Sequence, residues 1–213
     1  MFYDEKEIVI FDLDGVLMCT RDMCMNSYRD VLDEFYGEEF RKSRFPDSLL
    51  STFVEIPLPE KLAENGISVE DIDKILPRYY EFNAQYSHLN KRIQLMIDEV
   101  KRLRDELGKP VYLASLKAEG PGSNILSQTG IEDYFDQIQF RTPANTKTDV
   151  LLKLIEKIGK TATIENTIYI GDMFYDREAA NEIGIDYIDI EDLLGFSPNH
   201  SERSLDEAVL KLQ

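Results

Sequence analysis

The 213-residue chain has no tryptophan, two cysteines, two histidines, and only 24 lysines and arginines against 41 aspartates and glutamates. Each shortage excludes something. A formal charge of −17 repels the phosphates of nucleic acids and of anionic membranes, whose non-specific binding needs positive potential. No nucleic-acid and no membrane partner is therefore expected, although a locally basic pocket can still take a small anion. Cys19 and Cys24 lack companion histidine ligands and are a poor basis for zinc; they read as two reduced thiols of a cytosolic protein. No apolar run approaches the roughly 18 residues that a membrane helix requires. The opening MFYDEKEIVI is acidic and has no basic stretch leading into a long apolar one, so no signal peptide is expected and the expected localisation is cytoplasmic. His88 reads as a hinge or surface histidine and His200, in SPNH, as an exposed one.

What is present suits a globular fold. The hydrophobic fraction of 43%, with 11 Phe and 11 Tyr, can furnish a core, and the length fits one sizeable domain or a core domain with a smaller insertion. KEIVIF (6–11) reads as a strand. Residues 22–36 carry apolar groups at helical spacing and stop at Gly37. Residues 38–88 hold no convincing buried strand. They read as helical pieces broken at Pro46, Pro57, Pro59, Gly66 and Pro77, with Ser68 an N-cap for VEDIDKIL. A long amphipathic helix is expected from about Asn90 to Leu107, stopped by Gly108.

Thereafter the pattern is regular. PVYLAS (110–115), DQIQF (136–140), NTIYIGD (166–172) and IDYIDI (185–190) read as strands. Residues 122–129, 146–159 and 174–184 read as glycine-stopped helices, and SERSLDEAVLKL (201–212) as a last helix. This alternation predicts an α/β fold with a doubly wound, mainly parallel sheet covered on both faces. The helical stretch interrupts the rhythm directly after the first strand. The expected division is therefore a core of 1–18 and 89–213 with an inserted helical cap of 19–88.

In such sheets ligands bind at the carboxyl ends of the strands. Asp12 and Asp14 fall there after the first strand, Ser115 after PVYLA, Lys147 at a helix start, and Asp172 and Asp176 after TIYIG. Residues i and i+2 of a strand face the same way, so Asp12 and Asp14 can address one site. Residues four apart, such as Asp172 and Asp176, share one side of a helical turn. Up to four carboxylates in one crevice require a cation, and hard oxygen ligands suit Mg²⁺. Ser115 and Lys147 complete a phosphate-binding set, with Lys117 a competing cation. One carboxylate can then attack phosphorus while its neighbour moves protons.

FDLDGVL, the Ser of VYLAS, Lys147 in NTKTDVLLKLIEKIG and IGDMFYD resemble, in order and spacing, the four motifs of the haloacid dehalogenase-like (HAD) hydrolase superfamily. The helical insertion is similar to the cap of its phosphoglycolate phosphatase-like branch, on a Rossmann-like core. The resemblance implies a Mg²⁺-dependent phosphatase that hydrolyses a small phosphorylated metabolite through an aspartyl-phosphate. It implies that Asp12 is the nucleophile and Asp14 the acid/base. It also implies metal ligation by Asp12, the Asp14 carbonyl and Asp172, with Asp176 supporting, and phosphate binding by Ser115 and Lys147.

Several positions depart from the pattern. Thr148 follows Lys147 where Pro is frequent, Met173 replaces a small polar residue, and Cys19 stands where Asp is common. Cys24 lines up with the catalytic histidine of the β-phosphoglucomutase-like branch, which makes a mutase the lesser alternative. A phosphotransferase and a non-catalytic binding protein are the other readings. Specificity is expected in the cap, where Arg41, Lys42 and Arg44 form a basic island. That island reads as a solvated helix face before an anion site, with Arg21 and Arg29 comparable candidates. Met18, Met23 and Met25 read as packing residues.

Overall fold

The structure is a computed structural model and describes residues 2–55, 58–142, 146–159, 162–196 and 198–199. The helix expected at 201–212 and His200 lie outside these. The chain divides into two compact units, one formed by Thr20–Asn90 and the other by the residues on either side of it.

The flanking residues build a sheet of five parallel strands: β1 (Ile8–Phe11), β4 (Val111–Ala118), β5 (Gln137–Arg141), β6 (Thr167–Gly171) and β7 (Asp186–Asp189), in the order β5-β4-β1-β6-β7. The first strand is thus central, with the chain moving to one side of it for β4 and to the other for β6. Both faces are covered, which is why the strands carry continuous rather than alternating apolar residues. Ile8, Ile10, Tyr112, Ala114 and Tyr169 pack with Val150, Leu151 and Leu154 of α8 (Lys147–Ile158) and with Ala179 and Ala180 of α9 (Phe174–Ile183). Val9, Phe11, Leu113, Ile168 and Ile170, which point the other way, are equally buried. The fold is the expected α/β one, a Rossmann-like parallel sheet flanked by helices.

The sequence reading missed a small ribbon. β2 (Met18–Cys19) pairs antiparallel with β3 (Lys91–Arg92). Two residues per strand are too few to leave a periodic signature. With 91–92 extended and the Ile93 N–H donating to the Leu17 carbonyl at 3.0 Å, the helix expected from Asn90 begins at Gln94 instead. It runs as α6 (Gln94–Lys101) into a π-helical stretch, Arg102–Glu106. The short helices α7 (Glu119–Ser127) and α10 (Ile190–Leu194) complete this unit.

The second unit is helical: α1 (Arg21–Tyr36), α2 (Glu38–Arg44), α3 (Asp47–Leu50), α4 (Leu58–Glu64) and α5 (Val69–Tyr86). Ser68 caps α5 by accepting from the Asp71 N–H. The break expected at Pro77 does not occur, and α5 runs through it. Proline forfeits one backbone hydrogen bond there, but the buried stripe Ile72, Ile75, Tyr79 and Phe82 holds the helix. Tyr79 stacks on Tyr28 of α1 with ring centroids 5.2 Å apart. Met23 and Met25 are buried in the same unit, as is Met18 in the other.

The basic island is neutralised from within. Arg41 is only 6% exposed, pairing with Asp33 at 2.9 Å and Asp47 at 3.3 Å. Arg29 also pairs with Asp47, Lys42 pairs with Glu38, and Arg44 donates to the Asn65 carbonyl. Arg41 is thus a structural ion-pair residue, not a solvated one. Neither Cys19 nor Cys24 forms a disulfide. Among the described residues no helix is long and apolar enough to cross a membrane.

Candidate active site

The apolar strand β1 ends where Asp12 begins the loop. The Asp12 N–H still donates to the Ile170 carbonyl of β6 at 2.9 Å, so its side chain is fixed at the mouth of the sheet. Ser115 lies on β4 beside it and Asp172 directly follows β6.

Lys147 joins these elements. Thr146 caps α8, accepting from the Asp149 N–H while the Asp149 carboxylate accepts from the Thr146 N–H. This capping box fixes Lys147 at the first helical position, where an ammonium opposes the helix dipole. The cost is offset by its partners. Lys147 Nζ stands 2.9 Å from Asp12 Oδ1 and 3.1 Å from Asp176 Oδ1, and donates to the Ala114 carbonyl at 3.1 Å. Burial lowers the Lys147 pKa, and Asp12 and Asp176 more than reverse that, so it stays charged.

Asp12, Asp172 and Asp176 each bring one carboxylate oxygen within 4.8 Å of the others. Glycines make the crowding possible. A Cβ on Gly15, whose φ is +74°, would fall 1.8 Å from Asp172 Oδ2, and one on Gly171 would fall 2.7 Å from the Asp176 carboxylate. Burial raises Asp12 to about 7, with Lys147 opposing and Asp176 and Asp14 reinforcing the shift. Burial, then Asp176, Asp12 and Asp14, push Asp172 well above the usual carboxylate range. Fully ionised, the three carboxylates would hold more negative charge than Lys147 neutralises, and the raised values record that cost. A compact divalent cation with a preference for hard oxygen donors fits that imbalance.

Asp14 stands apart from this group. Its carboxylate faces Lys117, with Oδ2 3.3 Å from Nζ. Ser115 Oγ accepts from the Lys117 N–H at 3.2 Å, so its own O–H proton remains to be donated. All six residues singled out in the sequence, Asp12, Asp14, Ser115, Lys147, Asp172 and Asp176, thus lie at the carboxyl ends of β1, β4 and β6 or at the helix starts beside them. Lys117 serves Asp14, while Lys147 serves Asp12 and Asp176.

Two tyrosines were missed. Tyr169 OH donates to Asp176 Oδ1 at 3.0 Å, and its ring lies 5.3 Å from Lys147 Nζ. In TIYIG it reads as one more core residue, and only the structure, which puts its hydroxyl on the acid in the first turn of α9, reveals it. Tyr175 is kept neutral by burial and then by Asp176, Asp172, Asp12 and Asp14. Asp176 itself accepts from Tyr169 and from the Asp172 and Met173 N–H groups, so it orients the loop as much as it adds charge. Replacing Tyr169 by Phe is expected to cost about 1–2 kcal/mol, because a buried charged acceptor loses a donor. Urea unfolding in the absence of metal measures it, and an unchanged midpoint would contradict the assignment.

The chain matches the family model described as haloacid dehalogenase-like hydrolase over residues 9–190. It belongs to that family. Among its relatives is the pyrophosphatase PpaX of Anoxybacillus flavithermus, 24% identical over 183 residues, covering 83% of this chain and 79% of that protein. Another is the tyrosine-protein kinase PtkA of Mycobacterium tuberculosis, 27% identical over 192 residues; the match covers 87% of this chain and 62% of that protein's length. The fold is shared with a haloacid dehalogenase-like family hydrolase of Streptococcus pneumoniae, at a TM-score of 0.74 and 22% identity over 100% of both chains.

Proposed function

We propose that this enzyme, a phosphoric monoester hydrolase, is a Mg²⁺-dependent phosphatase acting on a small phosphorylated metabolite through an aspartyl-phosphate on Asp12. The single observation that carries the reading is the buried ammonium of Lys147, shared between Asp12 and Asp176 inside a cluster of carboxylates. A nucleophilic acid, a charge-compensating lysine and surplus negative charge for a cation are what phosphoryl transfer from a dianionic ester requires. Asp12, Asp172 and the Asp14 carbonyl would hold Mg²⁺ with Asp176 in support, and the bound ion supplies charge neutralisation on the phosphoryl oxygens.

The chain's own groups do the rest. Asp12 attacks phosphorus, the ester P–O bond breaks, and the leaving oxygen takes a proton from Asp14. Water then attacks the aspartyl-phosphate, Asp14 takes its proton, and the Asp12 carboxylate is regenerated. Ser115 and Lys147 hold the phosphoryl oxygens throughout. The names of the relatives, a pyrophosphatase and a kinase, support phosphoryl transfer as the chemistry. The kinase also keeps open a second reading, transfer to an acceptor other than water.

A panel of metabolite phosphates, assayed for inorganic phosphate with Mg²⁺ and with EDTA, tests this. Mg²⁺-dependent release is expected from at least one ester. Conversion of esters without net release would favour the transferase, and no turnover by folded protein would favour a binding role.

The carboxylate cluster also predicts a pH dependence. Asp12 has its pKa raised on folding from 3.8 to about 7, so its contribution to stability is full at low pH and is lost as pH rises through about 7. The penalty from the crowded charges therefore exists only where they are ionised. Mg²⁺ is expected to raise the melting temperature over EDTA by roughly 4 °C or more at pH 8 and by much less at pH 5. Equal shifts at both pH values would contradict it.

A further inference from the structure

β4 does not end at Ser115. It continues to Ala118, with a register shift against β5 between Ser115, which pairs with Phe140, and Ala118, which pairs with Arg141. Such bulges re-aim side chains beside functional sites. Here the shifted pair is Leu116 and Lys117. The Lys117 N–H is pinned by Ser115 Oγ, and its ammonium meets Asp14 Oδ2 at 3.3 Å. Asp14 is braced from its own side as well. Its backbone bridges to Met18, and the Gly15 N–H donates to the Met18 carbonyl at 2.8 Å.

The two lysines divide the acids between them. Lys147 is buried with Asp12 and Asp176. The pair of Lys117 and Asp14 is more open, its side chains 17% and 25% exposed, within reach of water. Turned inward, Asp14 would add a fourth negative charge to Asp12, Asp172 and Asp176. Held by Lys117, it stays outside their cluster, on the side open to water.

We propose that Lys117 is the positioning residue of Asp14, holding its carboxylate for the water-activating half of the reaction. The proposal rests on the phosphatase reading above. In that half, the water oxygen forms a bond to phosphorus and the P–O bond to Asp12 breaks. The electron pair of that bond returns to the Asp12 carboxylate, and the proton released by water passes to Asp14. The first half, with an activated aryl ester whose leaving group departs as an anion, needs no proton and should not depend on Lys117.

Rapid-mixing kinetics with para-nitrophenyl phosphate and Mg²⁺ separate the two halves. For Lys117→Met, kcat is expected to fall about 30-fold, part of what a general base contributes. KM should fall in proportion, leaving kcat/KM within about twofold. A burst of nitrophenolate of about one equivalent per enzyme should appear as the aspartyl-phosphate accumulates. Lys117→Arg should restore most of kcat. Combined with Asp14→Asn, Lys117→Met should add no further loss, since the two act as a unit.

A fall in kcat/KM matching that in kcat, with no burst, would overturn the proposal in favour of a structural role. Unchanged kinetics, or additive losses in the double variant, would overturn it too. An absence of wild-type turnover would overturn the phosphatase reading and this proposal with it, whereas wild-type turnover with an indifferent Lys117→Met overturns this proposal alone.

Discussion

Asp12→Asn is expected to lower phosphate release by on the order of 10⁴-fold or more, while leaving the protein folded. The amide keeps the shape and removes the attacking oxygen's charge. The prediction is sharper than loss of activity alone, because the wild-type carboxylate is a burden on folding. Burial and the neighbouring acids raise its pKa to about 7, so above that pH the ionised group destabilises the metal-free protein. The variant should therefore melt no lower than wild type in EDTA at pH 8, and should gain less from Mg²⁺. Lys147 keeps its 3.1 Å contact with Asp176 and is not stranded. Retained turnover, or collapse of the fold at pH 8, would remove Asp12 from the centre of the mechanism.

Lys147→Met should fail in the opposite way. Methionine fills most of the space but leaves Asp12 and Asp176 facing each other in a site where their side chains are 6% and 0% exposed. Removing one partner of a buried charge pair costs about 3–5 kcal/mol. Without the ammonium the Asp12 carboxylate becomes harder still to ionise, so the loss should be larger at pH 8 than at pH 5, and Mg²⁺ should recover part of it. kcat/KM should fall by about 10²–10³-fold even where Mg²⁺ restores the fold, since a charge aimed at the phosphoryl oxygens is gone. Urea unfolding at the two pH values with and without Mg²⁺, beside phosphate-release kinetics, measures both effects. A pH-independent loss of stability would mean that Lys147 acts by packing alone.

Much of this was legible before any coordinates. A run of strand formers ending in FDLDG, and TIYIGD after a glycine-stopped helix, announce two strands that deliver acids to one edge, and it is their joint occurrence that sets them apart from a solvated turn. Lys147 was legible from its place at the start of an expected helix and in the third motif of the resemblance, while the capping box of Thr146 and Asp149 that fixes it there is seen only in the structure. What escaped was set by pairing in space. The ribbon of Met18–Cys19 with Lys91–Arg92 is two residues long on each side and moved the start of the next helix to Gln94. The uninterrupted helix through Pro77 depends on a stripe that Tyr28 and its neighbours cover. The bulge that turns Lys117 toward Asp14 exists only as a register against β5, and Tyr169 looks like core until its hydroxyl is seen on Asp176. The basic island was misjudged at Arg41 because its acids, Asp33 and Asp47, lie on other helical segments.

The central claim is that Asp12 carries the phosphoryl group. Enzyme quenched in acid during turnover of para-nitrophenyl phosphate with Mg²⁺, then digested and mapped by mass spectrometry, tests it most directly. A hydroxylamine-labile phosphoryl group on Asp12, in the peptide spanning IVIFDLDGVL and absent from Asp12→Asn, is the predicted result. Brisk turnover with no modified aspartate, or with the phosphoryl group on another residue such as Ser115, would contradict it.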